Sequence, residues 1–156
     1  AQDYAKHRPR VQAQPIAVMP AIIDIRTLKL FDTSVLPNCG TSSHNPLIGH
    51  DAFTALQACY LNLVGYPLAD GTVKVAAGWL IEQAGLKGGG IAPIMTHQQQ
   101  ALVLTNHSPY KATQIEVAQA QAYIADCVYQ KFAISLAREP VLVNVDGSIG
   151  SGEHVR

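Results

Sequence analysis

The stretch Ala69–Gln83, ADGTVKVAAGWLIEQ, constrains the fold of this 156-residue chain more than any other. It joins a turn, a short extended segment and an amphipathic helix with no spacer, so an extended segment must hand over directly to a helix. The helix is expected over about Ala76 to Ala84, with Leu80 and Ile81 on its apolar face. Gly85 stands where a left-handed C-cap residue belongs. Gly78 within the helix costs roughly 1 kcal/mol against alanine, which predicts close packing at that point.

Before this stretch, residues 1–14 are polar and basic without periodicity and read as a tail, or the remnant of a connection to an upstream domain. From Pro15, the spacing of Val18, Ile22 and Ile25 predicts a helix toward Lys29, kinked or started late by Pro20. Val35 to Pro46 carries turn residues at Pro37, Asn38 and Gly40 and reads as a loop entering a short extended segment. His50 or Asp51 is expected to cap the next helix, whose stripe is Phe53, Leu56, Tyr60 and Leu63 and whose stop is Gly65.

Beyond Gln83, Lys87 to Pro93 reads as a loop and Ala101 to Thr105 as a buried strand. Thr113 and Glu116 form a capping box for the longest helix, with Ile115, Ala118, Ala122, Ala125, Tyr129 and Phe132 as its expected apolar face. Strands are expected at Ile134–Leu136 and Val141–Val145, divided by Arg138-Glu139-Pro140 and ended by Asp146-Gly147. Helices mixed with strands, without regular strand-helix-strand alternation, predict an α+β fold with helices packed on a largely antiparallel sheet.

Composition narrows the function classes. The chain is 48% apolar, enough for one substantial core. Eleven basic and eleven acidic residues balance, which argues against nucleic acid and against an anionic membrane surface as partners. Cys39, Cys59 and Cys127 are scattered and form no C-x-x-C pair, as free thiols in a reducing cytoplasm would. The six histidines show no H-x-H or H-x-x-x-H spacing for a metal. No run approaches the roughly 20 apolar residues of a membrane helix, so a cytoplasmic protein is expected.

Two features invite chemistry. Gly85-Leu86-Lys87-Gly88, followed by two more glycines, resembles a phosphate loop or an RNA clamp. The glycines follow a helix and lead into Ile91-Ala92-Pro93 rather than opening a helix, so a C-cap and loop is the plainer reading. Glu139 is a lone carboxylate beside Pro140, read from the residues alone as a solvated turn residue.

A series of motifs from Pro15 to Gly147 resembles the C-terminal, substrate-binding domain of the UDP-N-acetylenolpyruvoylglucosamine reductase family. The series comprises Arg26-x-x-Lys29-Leu30, Asn38-x-Gly40, Asn45-Pro46, Tyr66-Pro67, the Ala69–Gln83 run, Leu86-Lys87-Gly88, His97-x-x-Gln100-Ala101 and Glu139. The resemblance implies a flavin-binding portion upstream of Ala1, and a domain covering residues 15–156. In such enzymes NADPH reduces bound FAD, and the flavin passes hydride to the enolpyruvyl double bond of the UDP-sugar substrate. The family makes a precursor of the bacterial cell wall.

By that resemblance Glu139 assists the enolate as a hydrogen-bonding acid in a desolvated pocket. Thr41 takes the place of the proton-donating serine in the family's G-S-F-F-K-N-P segment, here Gly40-Thr41-Ser42-Ser43-His44-Asn45-Pro46. It keeps the hydroxyl and adds a methyl group and a stiffer χ1. Ser42 is not an equivalent donor, because one step along an extended segment turns the side chain to the other face. Lys29, Asn45, Tyr66 and Gln100 match substrate-binding positions, and Arg26 matches one near the flavin. Taken alone, Lys29 is also an ordinary surface lysine and Tyr66 an ordinary half-buried tyrosine.

No metal is expected, given the histidine and cysteine spacing. Further departures are Ala92-Pro93 in place of a glycine pair, and Pro20 in the first helix. The isolated chain is expected to be inactive, because FAD would be bound mainly upstream. The alternative is a noncatalytic sugar-nucleotide-binding module with a decayed segment at Thr41–His44; an RNA-binding module rests on the G-x-x-G alone.

Overall fold

A computed structural model describes residues 18–29 and 33–150. The tail at residues 1–14 therefore lies outside the described residues. The chain divides into two compact units, Ala1–Leu36 and Pro37–Arg156. In the first, helix α1 spans Val18–Lys29. Pro20 is its third residue, within the first turn, where an amide would lack an intrahelical acceptor anyway.

The second unit is α+β, and every strand pairing in it is antiparallel. A four-stranded sheet has the order β1 (Asn38–Thr41), β7 (Val103–Asn106), β6 (Ile94–Thr96), β5 (Gly90–Ile91). A three-stranded sheet has the order β2 (Leu47–Gly49), β4 (Thr72–Val75), β3 (Gly65–Pro67). Helix α2 (His50–Cys59) lies against β2 and β4, whereas α4 (Gln114–Phe132) lies against β5, β6 and the short helix α3 (Ala77–Gln83). Two sheets thus stand where one was expected. Val75, Leu80, Ile81, Leu104, Ile124 and Val128 form the centre of the core between these layers.

The Ala69–Gln83 stretch folds as its pattern dictates. Asp70 Oδ1 accepts the Thr72 amide and hydroxyl at 2.9 and 2.6 Å, closing the turn. Val73 and Val75 are buried on β4 and Lys74 between them is exposed. At the far end of α3, Gly85 has φ +81°, Leu86 N donates to Ile81 O at 3.2 Å, and Gly85 N donates to Glu82 O at 3.0 Å. This is a Schellman stop, with Leu86 buried as its apolar partner. A Cβ on Gly78 would meet Leu102 Cβ at 3.6 Å, an ordinary contact, so the expected close packing is not tight enough to require glycine.

Several expectations change. Asn38 and Gly40 do not make a loop; Asn38 Oδ1 accepts the Gly40 amide at 3.1 Å, Gly40 takes φ +74°, and the pairing of β1 with β7 is irregular between Asn38 and Thr41. The turn chemistry builds a bulge inside a strand. Helix α2 begins behind Gly49 without a side-chain cap and ends at Cys59, so Leu63 is buried from a loop rather than from the helix. Gly65 opens β3, where a Cβ would lie 2.4 Å from the Phe53 ring and 2.5 Å from Val73. Only a glycine lets that strand approach α2 so closely.

Helix α4 starts at the expected capping box: Thr113 accepts the Ile115 amide, and Glu116 accepts the Thr113 amide at 2.7 Å. Its buried face is Ala120, Ile124, Val128 and Phe132. Of the expected stripe only Phe132 belongs to it; Ile115 and Tyr129 are 64% and 56% exposed. Two apolar stripes compete on this helix. The Ile124–Val128 stripe wins because it offers more burial than the alanines beside it.

Ile134–Leu136 and Val141–Val145 do not form strands. Their region makes two isolated bridges, Ser43 with Arg138 and Val143 with Ile149. Pro140 lacks an amide for a continuing ladder, and Val141, Val143 and Val145 are exposed.

Helix α4 ends on Ala133 at φ 54°, a left-handed position that a Cβ disfavours. Ala133→Gly is expected to stabilise the fold by about 0.5–1 kcal/mol, raising Tm by about 2–4 °C. A thermal melt with an unchanged or lower midpoint would contradict this geometry.

Candidate functional site

Thr41 closes β1, opposite Val103, with its side chain exposed. Ser42, the next residue, is 2% exposed, so the two side chains leave the backbone in opposite directions as an extended chain requires. Ser42 N donates to Leu102 O at 2.8 Å, and Ser42 O accepts the Glu139 amide at 3.1 Å. One residue further, Ser43 bridges Arg138 in antiparallel register, and His44 N donates to Ala137 O at 2.9 Å. These bonds lay the Arg138–Glu139 segment beside the Thr41–His44 segment. Glu139 is exposed, so the described residues do not supply the desolvated pocket that the family resemblance implies.

Gln100 joins the same network through Val103, whose amide donates to Gln100 O at 2.9 Å. It sits in the β6–β7 connection, where His97 is 3% exposed and His97 Nδ1 accepts the amides of Gln99 and Gln100 at 3.1 and 3.2 Å. Thr41, Gln100 and Glu139, separated by up to ninety-eight positions, therefore belong to one continuous set of backbone pairings.

Asn45 and Tyr66 belong to the smaller sheet. Asn45 precedes β2, and its Oδ1 accepts the Ala77 amide at 2.9 Å. It thus caps α3, whose own N-cap residue, Ala76, has no side-chain acceptor. With that oxygen engaged, the carboxamide NH2 is what Asn45 can offer a ligand. Tyr66 lies directly across β3–β4 from Lys74, and Lys74 directly across β4–β2 from Leu47. All three are exposed, forming one outward row with a cation beside a phenol.

Lys74 went unnoticed among the sequence candidates. The signal was present in Val73-Lys74-Val75, where alternation alone sends the lysine outward between two buried valines. Arg26 and Lys29 fall on α1, three residues apart, and their side chains lie outside the described residues.

The glycine run is committed to structure. Beyond the Schellman stop at Gly85, Gly89 O accepts the Thr96 amide at 2.8 Å, and Thr96 Oγ1 donates to Leu86 O. A Cβ on Gly88 would come within 3.1 Å of Gln98 Cγ. The loop is filled by the chain itself and offers no cradle for the pyrophosphate of a dinucleotide such as FAD. A groove of about 280 Å³, lined among others by Pro37, Cys39, Leu104 and Val117, includes none of the seven sequence candidates. Among the described residues no three His, Cys, Asp or Glu side chains group as a metal ion needs, and no helix is long and apolar enough to cross a membrane.

The chain matches the family model described as UDP-N-acetylenolpyruvoylglucosamine reductase, C-terminal domain, over residues 32–143. It is 65% identical over 155 residues to the UDP-N-acetylenolpyruvoylglucosamine reductase of Psychrobacter arcticus, covering 99% of this chain and 42% of that protein. The reductase of the same name from Pseudomonas aeruginosa is 40% identical over 146 residues, covering 90% of this chain and 42% of that protein. The chain spans about two fifths of the length of these curated relatives.

Two outcomes follow from the geometry. Asn45→Ala is expected to cost about 1 kcal/mol in urea unfolding, with Asn45→Asp retaining most of the stability; equal losses in both would dismiss the cap. Burial also lowers the His97 imidazole below its ordinary 6.5. The unfolded chain then binds the proton more readily, so the stability from this group is complete above about pH 6.5 and is lost as pH falls through the depressed folded value. Urea midpoints taken from about pH 7 to about pH 5 should decline, and decline less in His97→Asn. Identical slopes would contradict the assignment.

Proposed function

Because the chain belongs to the UDP-N-acetylenolpyruvoylglucosamine reductase C-terminal domain family, we propose that it binds the UDP-sugar substrate of such a reductase and carries its proton-handling residues. The observation that supports this most is the convergence of Thr41, Gln100 and Glu139 on one backbone network. The full enzyme, in this reading, uses NADPH and FAD in the bacterial cytoplasm to make a peptidoglycan precursor.

FAD, when bound, supplies hydride. It is held mainly by the part of the enzyme that corresponds to the remaining length of the relatives. Alone, the chain neither binds FAD nor oxidises NADPH.

Hydride added to the far carbon of the enol ether leaves carbanionic charge on the carbon that bears the carboxylate, and that same carbon then takes the proton. The Glu139 carboxyl hydrogen-bonds the enolate as that charge develops, and the exposed Thr41 hydroxyl delivers the proton. Bound substrate and the rest of the enzyme complete the desolvation that Glu139 lacks in the described residues. Gln100 holds the enolpyruvyl end from the β6–β7 connection.

At the smaller sheet, Lys74 meets the diphosphate as a point charge and the Tyr66 hydroxyl hydrogen-bonds it. Asn45 presents its amide NH2 from the start of α3. By the family resemblance alone, Lys29 is a substrate-binding residue and Arg26 a residue near the flavin.

The test is a chimera in which this chain replaces the matching segment of the Psychrobacter arcticus relative. Thr41→Val should lower kcat by about 10²-fold or more, Thr41→Ser should keep activity, and Lys74→Ala should raise KM more than it lowers kcat. A Thr41→Val chimera as fast as its parent would remove Thr41 from the chemistry. Sugar-nucleotide binding without turnover in every version would make the chain a noncatalytic binding module.

A further inference from the structure

The β6–β7 connection, residues 97–102, departs from the local chemistry of an ordinary hairpin loop. Its entry residue is a histidine, yet the ring is 3% exposed and turned back on its own backbone. Nδ1 accepts two successive amides, Gln99 at 3.1 Å and Gln100 at 3.2 Å. A ring nitrogen that accepts twice carries no proton, so the proton of the neutral imidazole is on Nε2.

The rest of the connection is closed around this contact. His97 N donates to Val103 O at 2.8 Å, and Val103 N donates to Gln100 O at 2.9 Å. Ala101 is buried at the exit, and the Gln98 side chain lies against the Gly88 backbone. The Gln100 backbone is thereby held through both its amide and its carbonyl. Both holds trace to the residue at position 97 and to the strand opposite it.

We propose that His97 is a positioning residue: its Nδ1 clamps the turn that presents the Gln100 side chain to ligand. This rests on the substrate reading of the preceding section and extends it to a buried group that touches no substrate. The clamp has a defined stereochemical demand, an acceptor two bonds beyond Cβ. Asparagine meets it, since Oδ1 is attached to Cγ as Nδ1 is, and Asn side chains accept amides two and three residues on in the same manner. Glutamine places its acceptor one bond too far, and alanine has none.

The demand separates a clamp from mere filling of the core. A residue that matters only for volume would be replaced better by glutamine than by the smaller asparagine. A residue that matters as an acceptor would show the reverse order.

The experiment uses the 156-residue chain, 15N-labelled, as wild type and as His97→Asn, His97→Gln and His97→Ala. Amide exchange at Gln99 and Gln100 is followed against the amides of the β6–β7 ladder, which report that the fold is intact. Enolpyruvyl-UDP-N-acetylglucosamine, which carries the group assigned to Gln100, is then titrated while the Gln100 side-chain NH2 signal is observed. His97→Ala and His97→Gln should lose protection at Gln99 and Gln100 by about tenfold and weaken the titration by a similar factor, whereas His97→Asn should keep both near wild type.

Should His97→Ala fail to fold, the Asn and Gln variants alone decide. His97→Gln matching or surpassing His97→Asn at the two amides would overturn the clamp. Protection lost in His97→Ala with unchanged nucleotide affinity would overturn its link to ligand. A wild-type chain whose Gln100 signal ignores the nucleotide while both amides stay protected would refute the substrate reading, and with it the positioning role, leaving the hydrogen bonds themselves in place.

Discussion

The backbone of Ser42 is the joint on which the candidate site depends. Its amide is bonded to Leu102 and its carbonyl to Glu139, so one residue ties the β1 segment to the four-stranded sheet and to the segment that follows α4. The β1–β7 pairing and the Ser43–Arg138 bridge flank these two bonds, so Thr41 and Glu139 are held on neighbouring segments. The Ser42 side chain is buried behind this joint, which keeps the Thr41 side chain turned outward. The Gly40 bulge precedes it and sets that phase, because an extra residue in one strand reverses which side chains face the core. The core behind the joint, with Leu104, Ile124 and Val128, makes the phase costly to change.

That view recasts the serine-rich departure from the family pattern. Ser42 and Ser43 are both buried, whereas Thr41, His44 and Asn45 are not. Where the family pattern has two aromatic residues, this chain has two small polar ones, both buried. The change therefore falls first on packing. The exposed hydroxyl at position 41 is retained, which is the part that proton delivery requires.

What could be read from the sequence was what short-range chemistry decides. The capping box of Thr113 and Glu116, the Schellman stop at Gly85 and the turn at Asp70-Gly71 each involve partners within five residues. Strands β3, β5 and β6 contain two or three residues and gain their identity from distant partners, so no local pattern announced them. On α4 the periodicity was right and the phase was wrong, because two parallel apolar stripes satisfy the same spacing and only the facing sheet chooses between them. Val141–Val145 has the composition of a strand, but Pro140 and the lack of a neighbouring strand leave it as an exposed arm with one bridge.

For the site, the family resemblance supplied the residues and the fold supplied their relations. Asn45 as the cap of a helix that begins 32 residues later could not be seen in a linear motif. Lys74 could have been, from the alternation on β4.

The most direct measurement is a proton NOE experiment across the Ser43–Arg138 bridge. The bonds His44 N to Ala137 O and Glu139 N to Ser42 O make Ser43 and Arg138 a non-hydrogen-bonded antiparallel pair. In such pairs the two α-carbons approach to about 4.5 Å and their α-protons face each other. A strong Hα–Hα NOE between Ser43 and Arg138, with a slowly exchanging Glu139 amide, is the predicted result. No such NOE, with a Glu139 amide exchanging as fast as an open loop, would mean that Glu139 is not held beside Thr41 and that the site is not assembled as described.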